Sequence, residues 1–367
     1  MDMKNQVDYK TLTFSGKVLF IADANSTHML HWARLLKERG AQVTYLSFDE
    51  PSEKHVRSVV LRPWLKKHYA KFVVNAPRVA RLIRCLKPDI VHSYYLTNYA
   101  LLAALAKPEK LVVTVAGSDV FLESQKSGLL SRIAEYVILQ AHIVHSVANH
   151  MTEHLEKLGA SRNKIVTFPE GIDSRIFMKC NNQIRDRQPL VVSTRNFKPV
   201  YDVETLIKAI PYVTEKLSSV RFVLAGDGDC RMRLRETAER LNVLHYISFP
   251  GFLQWKELAA ELSRAAVYVS TSKSDGTSAS LLQAMYCGAF PVVTNIPANQ
   301  EWISDSKNGC LYQVSDEKDL AKRIIYSLNN TVLRIEAAKA NVESLERRGL
   351  DSIMINKLIM TYQSLIG

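Results

Sequence analysis

VYVSTSKSDGTSASLLQAMYCG, residues 267–288, is the stretch on which the reading of the fold turns. VYVSTS is an uncharged run of strand-forming residues, SDGTS is turn chemistry, and ASLLQAMYCG is a short apolar helix. Strand, turn and helix in that order set the first turn of the helix at the carboxyl end of the strand. Gly276 lets the backbone come close to a ligand, and Thr277 or Ser278 caps the helix. The first-turn N–H groups and the positive end of the helix dipole then make an anion seat, worth about 0.3–1 kcal/mol per charge and up to ~2 when partly buried. A diphosphate is the natural guest. The plainer reading is that Asp275-Gly276 is a tight turn and nothing more.

Outward from this stretch the same alternation continues almost end to end. On the amino-terminal side stand KVLFIAD (17–23), AQVTYLSF, PDIVHSYY, KLVVTVAG, HIVHSV and KIVTF, with helical patterns between them. The first of these helices runs from about Thr27 to Arg39, and Gly40 closes it. A polar segment, MKCNNQIRDRQ (178–188), has no apolar periodicity and reads as a linker. The series restarts with LVVSTRN, RFVLAGDG and ISFPGF, and ends with FPVVTNI. Strand–helix alternation implies parallel, doubly wound sheets. The expected class is therefore α/β, with two Rossmann-like domains facing a cleft. Their expected bounds are residues 1–185 and 186–350, with a helix over 351–367 packing back on the first domain. Ligands in such folds bind at the carboxyl ends of the strands.

The 367 residues suffice for two full cores, and no window of 18 apolar residues suggests a membrane span. The start, MDMKNQVDYK, has no signal-peptide core. Five cysteines without metal spacing read as reduced thiols of a cytoplasmic protein. The net charge of +12 is uneven: residues 1–185 carry 26 Lys+Arg against 16 Asp+Glu, the remainder 22 against 20. Between Lys54 and Lys87 there are ten basic residues, no acidic one, and interleaved aromatics. That stretch suits an anionic membrane surface or an acidic acceptor; a solvated helix face is the alternative. No helix-turn-helix, zinc or RNP pattern accompanies the charge, so no nucleic-acid partner is expected.

Arg195 stands at the carboxyl end of LVVSTRN, and Lys198 follows three residues later. An Arg fork and a Lys point charge there can grip phosphate oxygens; a solvated loop is the other reading. FVLAGDGD has Gly226 and Gly228 in a strand-to-helix turn, short of a full GxGxxG.

The order STRNF, VLAGDGD, FPGF, SDGTSASLLQAM and CGAFPVVTN, with PDIVHSYY, VVTVAGSD and PEGID in the first half, resembles the retaining nucleotide-sugar glycosyltransferases of family 4, with the GT-B fold. The resemblance covers nearly the whole chain. It implies donor contacts at Gly226, Gly251, Phe252, Gly276, Thr277, Ser278, Leu282 and Gln283, with catalytic roles for Arg195, Lys198, Asp275 and Asp119. The family pattern of Glu, seven residues, Glu becomes Asp275 and Gln283 here, so Gln283 would be the ribose hook with a weaker, neutral acceptor. Val200 replaces a family Lys, and Ala116 a family His. On the acceptor side the resemblance points to Asn25, Ser26, His28, His92, Tyr94, Gly117 and Ser118. Asp119 either binds a sugar hydroxyl or caps a helix. Asp227 and Asp229 spell an Asp-x-Asp, but in a βα turn no metal is expected, nor any cofactor beyond a UDP- or GDP-sugar substrate. The implied activity is transfer of a sugar, with retention, to a glycan or lipid-linked acceptor at the cytoplasmic face of a membrane. The alternative is an impaired homologue acting as a partner subunit.

Overall fold

The computed structural model describes residues 11–51, 56–63, 65, 69–180, 184 and 187–367. Lys54, Lys66 and Lys67 of the basic stretch, with Trp64 and His68, lie outside the described residues, as do 181–183, 185 and 186 of the polar segment. The chain forms two α/β units. One comprises the chain up to Glu170 together with Ser352–Gly367; the other is Gly171–Asp351.

The first unit holds a parallel sheet of strands β1 (Lys17–Ile21), β2 (Gln42–Ser47), β3 (Arg57–Val60), β4 (Ile90–Tyr94), β5 (Leu111–Val115), β6 (Ile143–Ser146) and β7 (Ile165–Thr167). Their order is β3-β2-β1-β4-β5-β6-β7. β1 and β5 are central and buried along nearly their whole length, which is why they read as continuous apolar runs. β3 was not expected. It is a four-residue edge strand with two exposed residues in its first half, and short, charged edges resist pairing with other chains.

The second unit has the strands β8 (Leu190–Ser193), β9 (Arg221–Ala225), β10 (Ile247–Gly251), β11 (Val267–Ser270), β12 (Phe290–Thr294) and β13 (Cys310–Tyr312). They run parallel in the order β10-β9-β8-β11-β12-β13. Val191 faces one apolar cluster, with Phe197 and Leu206; Val192 faces another, with Tyr268, Leu281 and Leu282. This alternation is the two-residue period of a strand buried on both faces.

The expected boundary at 185/186 falls instead at 170/171. Ile172 and Phe177 are almost wholly buried in the second unit's core, and Cys180 N–H donates to Tyr286 O at 3.1 Å. Two anchoring side chains spaced five residues apart leave no periodic pattern, so the sequence reading placed the joint too late. The terminal helix Asp351–Ile366 joins the first unit from Ser352 onward. Tyr362 is fully buried there with its ring 5.6 Å from Phe14, and Asn356 Oδ1 accepts from Arg39 Nη1 at 2.9 Å.

Candidate active site

In the second unit the quoted stretch folds as β11, a turn and the helix Ala279–Tyr286. Ser278 is the N-cap: its Oγ accepts from Leu281 N–H at 3.3 Å. Arg195, two residues past β8, reaches this helix start. Its Nη1 donates to Ser278 Oγ at 2.7 Å and Ser280 Oγ at 3.0 Å, and its Nη2 meets Asp275 Oδ2 at 2.7 Å. The guanidinium lies 4.1 Å from the Tyr201 ring centre, a cation–π contact. Only 8 % of Arg195 is exposed. Burial works against its charge, but the Asp275 carboxylate together with Tyr268 and Tyr201 outweighs it and the pKa moves up. A permanently charged fork is thus held rigid at the carboxyl end of the sheet, beside a helix N-terminus.

The remaining predicted donor residues divide. Gln283 lies in this helix, 6 % exposed, and its amide makes no hydrogen bond to the described residues. Thr277 and Gly276 occupy the turn, where Gly276 N–H donates to Asp275 Oδ1 at 3.0 Å. Leu282 is 1 % exposed among core side chains, so it supports the helix from behind and does not face a ligand. Gly226 is needed for packing: a Cβ there would meet Arg195 O at 2.5 Å. Gly251 has φ +83° at the end of β10, and Phe252 beside it is well exposed. Lys198 is exposed and has no ion-pair partner among the described residues. Asp227 pairs with Arg231 at 3.0 Å. Sequence reasoning missed Tyr201 and Ser280; Tyr201 lies six residues past Arg195, a spacing without a motif.

In the first unit, Asn25 is exposed and Ser26 is the N-cap of the helix Thr27–Glu38, without a side-chain capping bond. His28 forms an ion pair with Glu170, and Tyr94 OH donates to Glu170 Oε1 at 3.3 Å. Burial pushes the Glu170 carboxyl up, but His28, with His145 and Tyr94, overrides it and holds the group below the usual range. Glu170 sits in PEGID, yet nothing in that motif marks it as the partner of a residue 142 positions earlier. Ser118 Oγ and Tyr95 OH are 3.0 Å apart, and Gly117 has φ +108°.

Two expectations are corrected here. His92 does not face outward. It is fully buried, with Nδ1 2.6 Å from Tyr362 OH and Nε2 2.7 Å from Thr114 Oγ1. Asp119 is neither a helix cap nor open to a sugar. Its fully buried carboxylate accepts the N–H groups of Ala116 and Gly117, both at 3.0 Å, and of Leu96 at 3.2 Å. Burial raises its pKa to about 6 against the pull of those N–H groups.

His92 belongs to a longer chain. Thr114 Oγ1 is 3.0 Å from His145 Nδ1, and His145 Nε2 is 2.8 Å from Phe168 O. A carbonyl only accepts, so His145 Nε2 carries its proton and Nδ1 accepts from Thr114. Thr114 therefore accepts from His92 Nε2–H, and His92 Nδ1 accepts from Tyr362. One carbonyl fixes both tautomers, and every polar atom in the chain is satisfied.

Two parallel-sheet Rossmann-like units, one with a buried arginine at a helix start, define the architecture of the GT-B glycosyltransferases. The family model described as glycosyl transferases group 1 matches residues 174–343, and that of glycosyl transferase 4-like domains matches 17–148. The chain belongs to this family and is a glycosyltransferase. It is 24% identical over 315 residues to an uncharacterized glycosyltransferase of Methanocaldococcus jannaschii, covering 83% of this chain and 85% of that protein. It is 22% identical over 351 residues to the N-acetyl-alpha-D-glucosaminyl L-malate synthase of Bacillus anthracis, covering 90% of each. Among solved structures, sucrose-phosphate synthase from Thermosynechococcus elongatus superposes with TM-score 0.82 at 15% identity, over 95% of this chain and 99% of that one. Anabaena HepE in complex with UDP-glucose gives TM-score 0.78 at 17% identity with the same coverage.

Proposed function

We propose that this glycosyltransferase moves a hexosyl group from a nucleoside diphosphate sugar, of the UDP or GDP class, to a hydroxyl of a glycan or lipid-linked acceptor, with retention at the anomeric carbon. The observation that carries the reading is Arg195, buried and fixed by Asp275, Ser278 and Ser280 at the start of the helix Ala279–Tyr286. HepE, which shares the fold, has been solved with UDP-glucose, and that favours a UDP-sugar. No relative reported above supports the reading of an impaired partner subunit.

The chemistry asks little of the side chains beyond charge and placement. The bond from the anomeric carbon to the diphosphate oxygen breaks while the acceptor oxygen bonds to the same face. The acceptor proton goes to a diphosphate oxygen. Negative charge grows on the leaving diphosphate, where Arg195 and the helix N–H groups stabilise it. Lys198, exposed nearby in sequence, is a second cation for that charge. Gln283 offers its unpartnered amide to the ribose hydroxyls. No helix among the described residues is long and apolar enough to cross a membrane. A peripheral seat on the cytoplasmic leaflet rests on the basic stretch, in whose described part Arg57, Arg81, Arg84 and Lys87 are exposed beside Leu65 and Val73.

The test is a thermal-shift panel with UDP, GDP, ADP and CMP, each with and without EDTA. A ligand at 100 times its dissociation constant adds about 2.7 kcal/mol of stability. A shift with one nucleoside diphosphate, unchanged by EDTA, is the expected result. No shift with any of them would sink the donor reading.

A further inference from the structure

Three consecutive residues at the end of β8 carry side-chain atoms that are buried and have no hydrogen-bond partner: Ser193 Oγ, Thr194 Oγ1 and Arg195 Nε. Buried polar atoms are nearly always paired, and an unmade bond is costly, so a run of three needs a reason. Within β8, Val192 belongs to the cluster that contains Leu281 and Leu282, and Ser193 follows Val191 on the other side. Thr194 is the first residue past the strand and directly precedes Arg195, which grips the first turn of the helix Ala279–Tyr286. The hydroxyl of Thr194 and Nε–H of Arg195 are both donors, on adjacent residues. An acceptor-only, negatively charged oxygen is the chemistry that serves both.

We infer that Thr194 is a donor-binding residue of this site, its hydroxyl donating to a phosphate oxygen of the nucleoside diphosphate. The inference rests on the proposed donor reading and adds a residue to it. Sequence reasoning passed over Thr194 because a threonine at a strand end looks like any other strand former.

The test uses the full chain with Thr194→Val, which keeps the shape and removes the hydroxyl, Thr194→Ser, which keeps the hydroxyl, and Ser193→Ala as the control within the strand. Calorimetric titration with UDP and with inorganic pyrophosphate gives affinity; thermal melting without ligand gives stability. The expected result is UDP and pyrophosphate binding about tenfold weaker in Thr194→Val, since a hydrogen bond to a charged group is lost. Its ligand-free melting temperature should be unchanged or higher, because an unpaired buried hydroxyl has gone. Thr194→Ser should bind within about twofold of the parent, as should Ser193→Ala. UDP affinity in Thr194→Val within twofold of the parent would overturn the inference. So would an equal loss in Ser193→Ala, which would trace the effect to packing of the strand end. If the parent binds pyrophosphate but no nucleoside diphosphate, the donor reading fails while the phosphate contact is still decided by pyrophosphate. Binding of neither by the parent removes both.

Discussion

At the carboxyl end of the first sheet, Tyr362, His92, Thr114, His145 and the Phe168 carbonyl satisfy one another completely. At the same end of the second sheet, Ser193 Oγ, Thr194 Oγ1 and Arg195 Nε are buried without a hydrogen-bond partner. Both regions bury polar groups at the rim where α/β folds bind ligands. The closed chain spends its hydrogen-bonding capacity on holding itself together, whereas the open set retains capacity for something else. Polar residues at strand ends therefore tell little until their bonds have been counted.

The largest effect should come from Arg195→Ala. On the proposed mechanism, loss of this cation should lower kcat by about 100- to 1,000-fold, as when an oxyanion-stabilising donor is removed. Single-turnover kinetics with saturating donor would check it; a loss below tenfold would mean that the open set is not where charge develops.

Acidification probes the closed chain. Burial and the neighbouring imidazole push His92 well below the usual histidine range, and burial brings His145 to about 4. Unfolded histidine titrates near 6.5, so the unfolded state binds more protons between roughly pH 6.5 and 4. Stability should fall as pH drops through that window, by about 1.4 kcal/mol per pH unit for each extra proton. Asp119 acts in the opposite sense. Its pKa is raised to about 6, so its contribution is greatest below the unfolded carboxyl value and is lost as pH rises through 6. Denaturant melts from pH 7 to 4 should show a net decline, shallower in His145→Gln. Equal slopes in the two proteins would refute the buried neutral histidine.

Thr114→Val is the counterpart of Thr194→Val. It leaves His92 Nε2–H and His145 Nδ1 unpaired, and should cost about 1–3 kcal/mol of stability with nucleotide affinity unchanged. The same chemical change should thus act on stability in one unit and on affinity in the other. Urea titration and UDP calorimetry on both variants measure this; a shared pattern would erase the distinction. The smallest effect is expected from Gln283→Glu. A carboxylate accepts more strongly than an amide, and UDP should bind a few-fold more tightly. Weaker binding would argue against a ribose contact.

Much of this was legible in the sequence. Central strands announced themselves because both faces are buried, and Arg195 stood out because a charge ending an apolar run is costly without a task. β13, three residues long at an edge, carries too little pattern to be seen. PDIVHSYY marked His92 as a strand residue, but it lies in the middle of β4, and nothing in the motif told that a tyrosine 270 residues away would claim its ring. Asp119 was recognised as a polar residue with a role; two of its backbone donors, Ala116 and Gly117, are local, while the third, Leu96, is 23 residues away and is brought near only by the fold. Pairing decides which polar residues are structural, and partners distant in the chain leave no local trace.

The terminal helix gives the chain an unusual order of completion during synthesis. β4 emerges early, and its neighbours β1 and β5 are made soon around it. His92, however, meets its Tyr362 partner only after the whole second unit has been translated. The unit made first is thus the last to be sealed. Until then one ring nitrogen at its centre must go without a bond or borrow one from water, which leaves the earlier-born half the more vulnerable of the two to proteolysis while the ribosome is still at work.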